Sequence, residues 1–174
     1  DIGVIPKAEG SARARLGDTE VVAGVKVQPE RPFPDTGDKG MLICTAEILP
    51  IAHPSAETGP PQPPVVELAR VTDRGIRESG MLDMKQLVLE KDKSVIGVFC
   101  DNAVTDHDGN LFDACSYAST AAINACKIPK YEMQDEKPVK IEGEFTEPPI
   151  TTLPVSVTMA KIGDFILVDP TIEE

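Results

Sequence analysis

An acidic turn lies at a place where a chain of this kind could hold a phosphate group. Residues 106–114 read Asp-His-Asp-Gly-Asn-Leu-Phe-Asp-Ala, between an apolar strand-like segment and a small-residue segment that we expect to be helical. The amides of such a turn and the N-terminus of the helix favour negative charge. A turn that binds phosphate for chemistry generally adds a cationic side chain and a hydroxyl. Here Asn110, Leu111 and Phe112 are followed by acidic Asp113, so we predict that this turn binds no anion.

Three arginines share one face of the first predicted helix. At about 100° per residue, Arg70, Arg74 and Arg77 fall together, roughly opposite an apolar stripe. Their spacings of four and three place the guanidinium groups on neighbouring helical turns. One interpretation is a solvated face with local ion pairs to the acids Glu67, Asp73 and Glu78. The other is contact with the phosphate backbone of a nucleic acid, for which arginine is well suited.

Other candidate chemistry is weaker. His53 and His107 have no serine or cysteine partner at a recognisable motif spacing, which argues against a hydrolase triad. Asp106 and Asp108 could chelate a divalent cation, but two acids without a fuller ligand set favour a plain turn. No Walker or dinucleotide-binding glycine pattern occurs. We therefore predict no metal and no cofactor.

The cysteines and two further arginines are interpreted as structural. The four cysteines show no CxxC spacing, which favours buried free thiols over zinc or disulfides: Cys44, Cys100, Cys115 and Cys126. Arg13 and Arg15 alternate on one face of a strand-like segment and are expected to be surface or interface charges.

The hydrophobic patterning predicts an α+β fold. Helices are expected at 65–79 and 113–126, and surface loops at 29–40 and 50–64. Strands are expected at 2–5, 19–27, 41–49, 83–89, 94–100, 139–142, 155–160 and 165–168. These elements indicate a mixed or mostly antiparallel sheet covered by at least two helices. We expect one domain over residues 1–174, truncated at both ends.

Composition limits the function classes. The chain has 174 residues, 41% of them hydrophobic, and a net charge of −12. Such a charge argues against a surface that coats nucleic acid generally, but it allows a small basic cluster on one face. No apolar run approaches the roughly 20 residues that cross a bilayer, and no signal pattern opens the chain. We expect a cytoplasmic protein without membrane contact.

Five segments resemble the RNase PH family as it occurs in the archaeal exosome. They are residues 3–12, 17–25, 67–79, 106–114 and 168–170. The resemblance is closest to the non-catalytic ring subunit. It implies the RNase PH fold (ribosomal protein S5 domain 2-like), built from duplicated β-α-β-α units. It also implies a hexameric ring of three heterodimers with a catalytic RNase PH-like partner, and RNA-binding cap subunits.

The resemblance gives the acidic turn and the arginine face their expected roles. In that family the active subunit carries a Gly-Ser/Thr-Arg phosphate loop where this chain has residues 109–112. We therefore expect no catalytic residue here, with 3′-to-5′ phosphorolysis of RNA performed by the partner. Arg70 and Arg74, with Arg77 as a further member, are expected to bind single-stranded RNA. The alternatives are an active phosphate-dependent 3′-5′ exoribonuclease and a structural ring spacer without RNA contact.

Overall fold

The main sheet has five strands and is mixed. The computed structural model describes residues 1–135 and 137–170, so residues 136 and 171–174 of the predicted domain lie outside the described part. The strands are β1 (Gly10–Leu16), β2 (Thr19–Glu30), β3 (Met41–Ile48), β4 (Val88–Glu90) and β5 (Ser94–Asp106). They lie in the order β1-β2-β5-β3, and β4 also pairs with β5. β3 runs parallel to β5, whereas the other pairings are antiparallel.

Two α-helices in the described residues cover one face of this sheet. They are α1 (Pro63–Glu78), which lies against β3 and α2, and α2 (Leu111–Asn124), which lies against β1, β2 and β5. The core between helices and sheet takes every second residue of β2: Thr19, Val21, Ala23, Val25 and Val27. This period of two is what a strand with one covered face requires. The predicted α+β class and mixed sheet are confirmed.

Two short hairpins complete the described chain. One joins β6 (Ile128–Gln134) to β7 (Lys137–Thr146), and the other joins β8 (Met159–Ile162) to β9 (Phe165–Val168). The second hairpin turns at Gly163 and Asp164, as predicted. None of the helices in the described residues is long and apolar enough to span a membrane.

The order β3-α1-β5-α2 places α1, the helix that carries Arg70, Arg74 and Arg77, at one edge of the sheet. Neighbouring parallel strands need a crossover connection, and α1 supplies it between β3 and β5. Because β3 ends the strand order, α1 lies beside an edge strand. The chain thus contains a β-α-β-α run of the kind that the resemblance implies.

The predicted strand 83–89 is wrong over most of its length. A 3₁₀ helix occupies Met84–Leu87, and only β4 remains extended. The carboxylate of Asp83 accepts hydrogen bonds from the amide of Lys85 at 3.1 Å and from the side chain of Gln86 at 2.9 Å. An aspartate that bonds the backbone two residues on stabilises a turn at the expense of a strand.

Other strand boundaries also differ from the prediction. The segment 2–5 forms only an isolated bridge between Ile2 and Ala12, and the first full strand is β1. The hairpin β6–β7 is longer than the predicted strand 139–142, and β8 begins at Met159 rather than at 155. The four cysteines are buried free thiols, as predicted.

Candidate nucleic-acid interface

The buried face of α1 fixes which of its side chains reach solvent. Leu68, Thr72 and Ile76 are buried toward the sheet, at spacings of four. The helix begins at Pro63, whose missing N–H costs nothing at this position, and it ends before Gly80 at φ +67°. The arginines therefore project from the opposite side, where all three are exposed.

Arg77 is engaged in contacts within the protein. Its Nε donates to Asp73 Oδ2 at 2.9 Å, and its Nη2 donates to Asp73 Oδ1 at 3.0 Å. The same Nη2 donates to the carbonyl oxygen of Leu42 on the edge strand β3 at 2.6 Å. The hydrogen bonds to Asp73 raise the pKa of Arg77, although burial acts in the opposite sense. Arg77 thus connects α1 to β3. That Arg77 also binds RNA remains a prediction.

Arg70 and Arg74 have no such contacts. Neither forms a hydrogen bond or ion pair with any residue in 1–135 or 137–170. By contrast, the exposed Arg13 and Arg15 of β1 pair with Asp1 and Glu20, each at 2.5 Å. The local ion pairing considered for the arginine face therefore accounts for Arg77 alone.

A cleft separates the two free arginines from the edge of the sheet. Its volume is about 410 Å³, and it lies between α1 and the outer edge of β3. Arg70, Asp73 and Arg74 form one wall, and residues 42–46 form the other. The Cα atoms of residues four apart are separated by about 6 Å along a helix axis, so the two side chains leave the helix one turn apart. Such an arrangement can contact two phosphates of one polyanionic strand.

The acidic turn before α2 is closed by bonds within the protein. The amide of Asp108 donates to Thr19 Oγ1 at 2.8 Å, and that hydroxyl donates to the carbonyl of Gly109 at 2.7 Å. The amide of Gly109 donates to His107 Nδ1 at 3.2 Å. Asn110 is left-handed at φ 42°, and its side chain caps α2. These contacts engage several of the polar groups that would have to turn outward to meet an anion.

Asp113 places a negative charge at the N-terminus of α2. The residue is 5% exposed, and its carboxylate accepts hydrogen bonds from Ser156 Oγ at 2.7 Å and Asn110 Nδ2 at 3.0 Å. It also accepts from the amide of Thr158 at 2.9 Å and from its hydroxyl at 3.0 Å. Burial acts to raise the pKa of Asp113, but these hydrogen bonds outweigh it and lower the pKa. The charge that the helix dipole favours is therefore supplied by the chain itself.

The fold brings the two histidines together, which their separation in sequence does not indicate. The ring centroids of His53 and His107 are 5.8 Å apart. Burial and the neighbouring His53 lower the pKa of His107, although Asp108 acts in the opposite sense. In the part of the chain that the structure describes, no group of three or more His, Cys, Asp or Glu side chains is placed to hold a metal ion.

Sequence comparison decides the family. Residues 1–129 match the 3′ exoribonuclease family, domain 1, known as RNase PH. The chain belongs to this RNase PH family. The chain is 47% identical over 174 residues to the exosome complex component Rrp42 of Methanocella arvoryzae, covering 100% of this chain and 64% of that protein. It is 49% identical over 173 residues to the Rrp42 of Methanopyrus kandleri, covering 99% and 64%.

Solved structures agree with the RNase PH assignment. A chain of the Archaeoglobus fulgidus exosome with RNA bound to the active site superposes with a TM-score of 0.87 at 49% identity. The match covers 97% of this chain and 64% of that one. A chain of an archaeal exosome core gives 0.80 at 46% identity, covering 97% and 61%. The predicted RNase PH fold is confirmed, and the chain spans less than two thirds of each relative.

Proposed function

We propose that the full-length protein is a non-catalytic exosome subunit that binds single-stranded RNA in the cytoplasm. It would support 3′-to-5′ phosphorolysis by a catalytic RNase PH-like partner. The names of its relatives and the RNA-containing neighbour structure support this proposal. Three heterodimers would form a hexameric ring to which RNA-binding cap subunits attach.

The observation that carries the proposal is the unpaired state of Arg70 and Arg74. Both guanidinium groups line a cleft and have no acid partner among the described residues. In a chain of net charge −12, two adjacent uncompensated cations repel each other unless an anion lies against them. RNA phosphates provide that anion and accept the two parallel hydrogen bonds that arginine offers. Such contacts position the strand without reading its sequence.

The non-catalytic assignment depends on the turn before α2. Residues 106–114 contain no arginine or lysine, and Asp113 already occupies the positive end of the helix. An orthophosphate placed there would meet a buried carboxylate without a neutralising cation. The alternative, an active phosphate-dependent exoribonuclease, needs a cation and a hydroxyl where Asn110 and Leu111 stand.

RNA affinity measured at two salt concentrations tests the proposal. The full-length Arg70→Glu/Arg74→Glu variant should bind RNA more weakly than wild type. Losing two phosphate contacts should flatten the dependence of log affinity on log salt by about 1.4. Arg31→Glu/Lys161→Glu makes the same charge change away from α1 and should have little effect. Unchanged affinity in the α1 variant would favour the structural spacer.

Phosphorolysis assays separate the non-catalytic subunit from the active enzyme. The full-length protein alone should release no nucleoside diphosphate from RNA in the presence of phosphate. Adding the partner should give activity above that of the partner alone. Phosphate-dependent release by the protein alone would establish the active-enzyme alternative.

A further inference from the structure

A second cavity lies at the carboxyl ends of β3 and β5. Its volume is about 630 Å³, and the segment between β3 and α1 closes over it. Its polar lining consists chiefly of Glu47, His53, Ser55, Glu57, Gln62 and His107. A cavity of this size with a few convergent polar groups has the character of a small-molecule or nucleotide site.

Both imidazoles present a hydrogen-bond donor that the protein does not use. The amide of Ser55 donates to His53 Nδ1 at 3.2 Å, and the amide of Gly109 donates to His107 Nδ1 at 3.2 Å. An amide can only donate, so we assign each Nδ1 as an acceptor and the proton of each neutral ring to Nε2, with the Ser55 hydroxyl, 2.7 Å from His53 Nδ1, donating to the same nitrogen. Neither Nε2 has a hydrogen-bond partner in residues 1–135 or 137–170. The cavity is therefore lined by two imidazoles with unused Nε2–H groups, and their ring centroids lie 5.8 Å apart.

The carboxylates of the cavity supply the opposite hydrogen-bonding character. Glu47 and Glu57 line it, and neither forms an ion pair or side-chain hydrogen bond within the described residues. Carboxylates accept hydrogen bonds and repel phosphates. The ligand must therefore offer acceptors on one edge and donors on another, and it must keep its phosphate outside.

The cavity adjoins the arginine cleft. The two share the wall residues Thr45, Ala46, Pro61 and Val65. A strand whose phosphates lie on Arg70 can consequently turn one base into the histidine cavity. The carboxylates of the cavity then face the base and the arginines face the phosphate backbone, so the carboxylates are kept away from the phosphates.

We propose that this cavity binds a guanine base of the RNA held by Arg70 and Arg74, an inference that rests on the proposed function. Guanine presents the adjacent acceptors N7 and O6, which match the two Nε2–H donors. Its N2 amino group lies on the opposite edge and matches a carboxylate. Adenine places a donor amino group beside N7, so one imidazole would meet a donor. The base contacts thus add specificity that the phosphate contacts lack.

RNA binding by the full-length protein tests the guanine site. Oligoadenylate carrying one guanine should bind at least about fivefold more tightly than oligoadenylate of the same length. His53→Ala should abolish that preference and leave the affinity for plain oligoadenylate unchanged. Gln28→Ala, an exposed substitution on β2, is the matched control and should keep the preference. Equal affinity of the wild type for both RNAs would overturn the site even if binding still depends on Arg70.

Binding of guanosine monophosphate provides a second test, which does not depend on the arginines. Addition of guanosine monophosphate should shift the imidazole NMR signals of His53 and His107, assigned by His→Gln substitution, whereas adenosine monophosphate should not. Such shifts without any arginine-dependent RNA binding would support the cavity and contradict the proposed function. No shift with guanosine monophosphate, together with no guanine preference, would overturn the guanine site. The proposed function would then still be tested separately by the RNA affinity of the Arg70→Glu/Arg74→Glu variant.

Discussion

Arg77 donates to the backbone carbonyl of Leu42 at 2.6 Å, across 35 positions of sequence. This bond joins the last turn of α1 to the start of the edge strand β3. Edge strands expose unpaired backbone groups, and a cationic side chain that occupies one of them protects the edge. Arg77 therefore positions the helix that carries Arg70 and Arg74, although it shares their exposed face.

Arg77→Ala should destabilise the protein by about 1–2 kcal/mol, because it removes a charged donor from the carbonyl and leaves Asp73 unpaired. Arg77→Lys should recover only part of the loss, since lysine cannot form the two parallel bonds. Urea unfolding measures the difference. The matched control Arg74→Ala should stay within about 0.5 kcal/mol of wild type. Equal losses for Arg77→Ala and Arg74→Ala would contradict the anchoring role.

Two glycines should respond to alanine with opposite signs. A Cβ at Gly10 of β1 would clash with the carbonyl of Ala122 in α2 and with Cys126, which lies just after α2. Overpacking of this kind costs about 1–3 kcal/mol. A Cβ at Gly75 of α1 would meet open space, and alanine in a helix interior is favoured by about 0.5–1 kcal/mol. The midpoint temperature of thermal unfolding should thus fall for Gly10→Ala and rise for Gly75→Ala. A stabilising Gly10→Ala would disprove the close approach of β1 to α2.

The Gly10 contact shows why the sequence predicts some strands and not others. The alternation of β2 reports its burial directly, so its position is predictable. β1 alternates only over residues 12–16, and Gly10 and Ser11 at its start give no strand signal, because its partners β2 and α2 stabilise that end instead. Gly10 has no side chain, which allows the end of α2 to approach this strand closely.

The candidate site, like the strands, is predictable from the sequence only in part. Helical spacing is local, so the common face of the three arginines follows from the sequence. Which arginine is engaged depends on Leu42, which is distant in sequence, and no local pattern reports it. The meeting of His53 and His107 has the same cause, since the crossover between parallel strands brings them together.

The pKa of His107 should depend on the neighbouring His53. Burial is the larger cause of the lowered pKa of His107, and repulsion by His53 is the second. His53→Ala should therefore raise the pKa of His107 toward its ordinary value of about 6.5. An NMR titration of the imidazole signals measures it. Substitution of the equally exposed Ser55 by alanine keeps the His53 charge and should leave His107 closer to its wild-type titration.

The same lowered pKa predicts how stability depends on pH near neutrality. The unfolded chain binds the His107 proton at a higher pH than the folded chain does, so stability should fall as pH drops below about 6.5. The loss should continue until the pH passes below the folded pKa. His107→Gln should remove this part of the pH dependence in urea unfolding. A variant with the wild-type slope between about pH 7 and 5 would be inconsistent with a lowered pKa at the partly buried His107.

Asp113 should control stability in acid. Its folded pKa lies below its unfolded value, so the carboxylate contributes stability that is fully present above about pH 4 and is lost as pH falls through the folded pKa. Asp113→Asn keeps the size of the side chain but removes the charge that Ser156 and Thr158 hydrogen-bond. We expect a loss of about 1–3 kcal/mol at neutral pH and a flatter stability profile below pH 4.

Urea unfolding of wild type and Asp113→Asn between about pH 3 and 7 checks this expectation. Asp164→Asn, an exposed change in the hairpin turn, is the control and should follow the wild-type profile. If the profiles of wild type and Asp113→Asn remain parallel down to about pH 3, folding does not lower the pKa of Asp113, and its carboxylate is not held as an anion at the N-terminus of α2. The turn would then have room for an external anion, and the non-catalytic assignment would lose its main structural support.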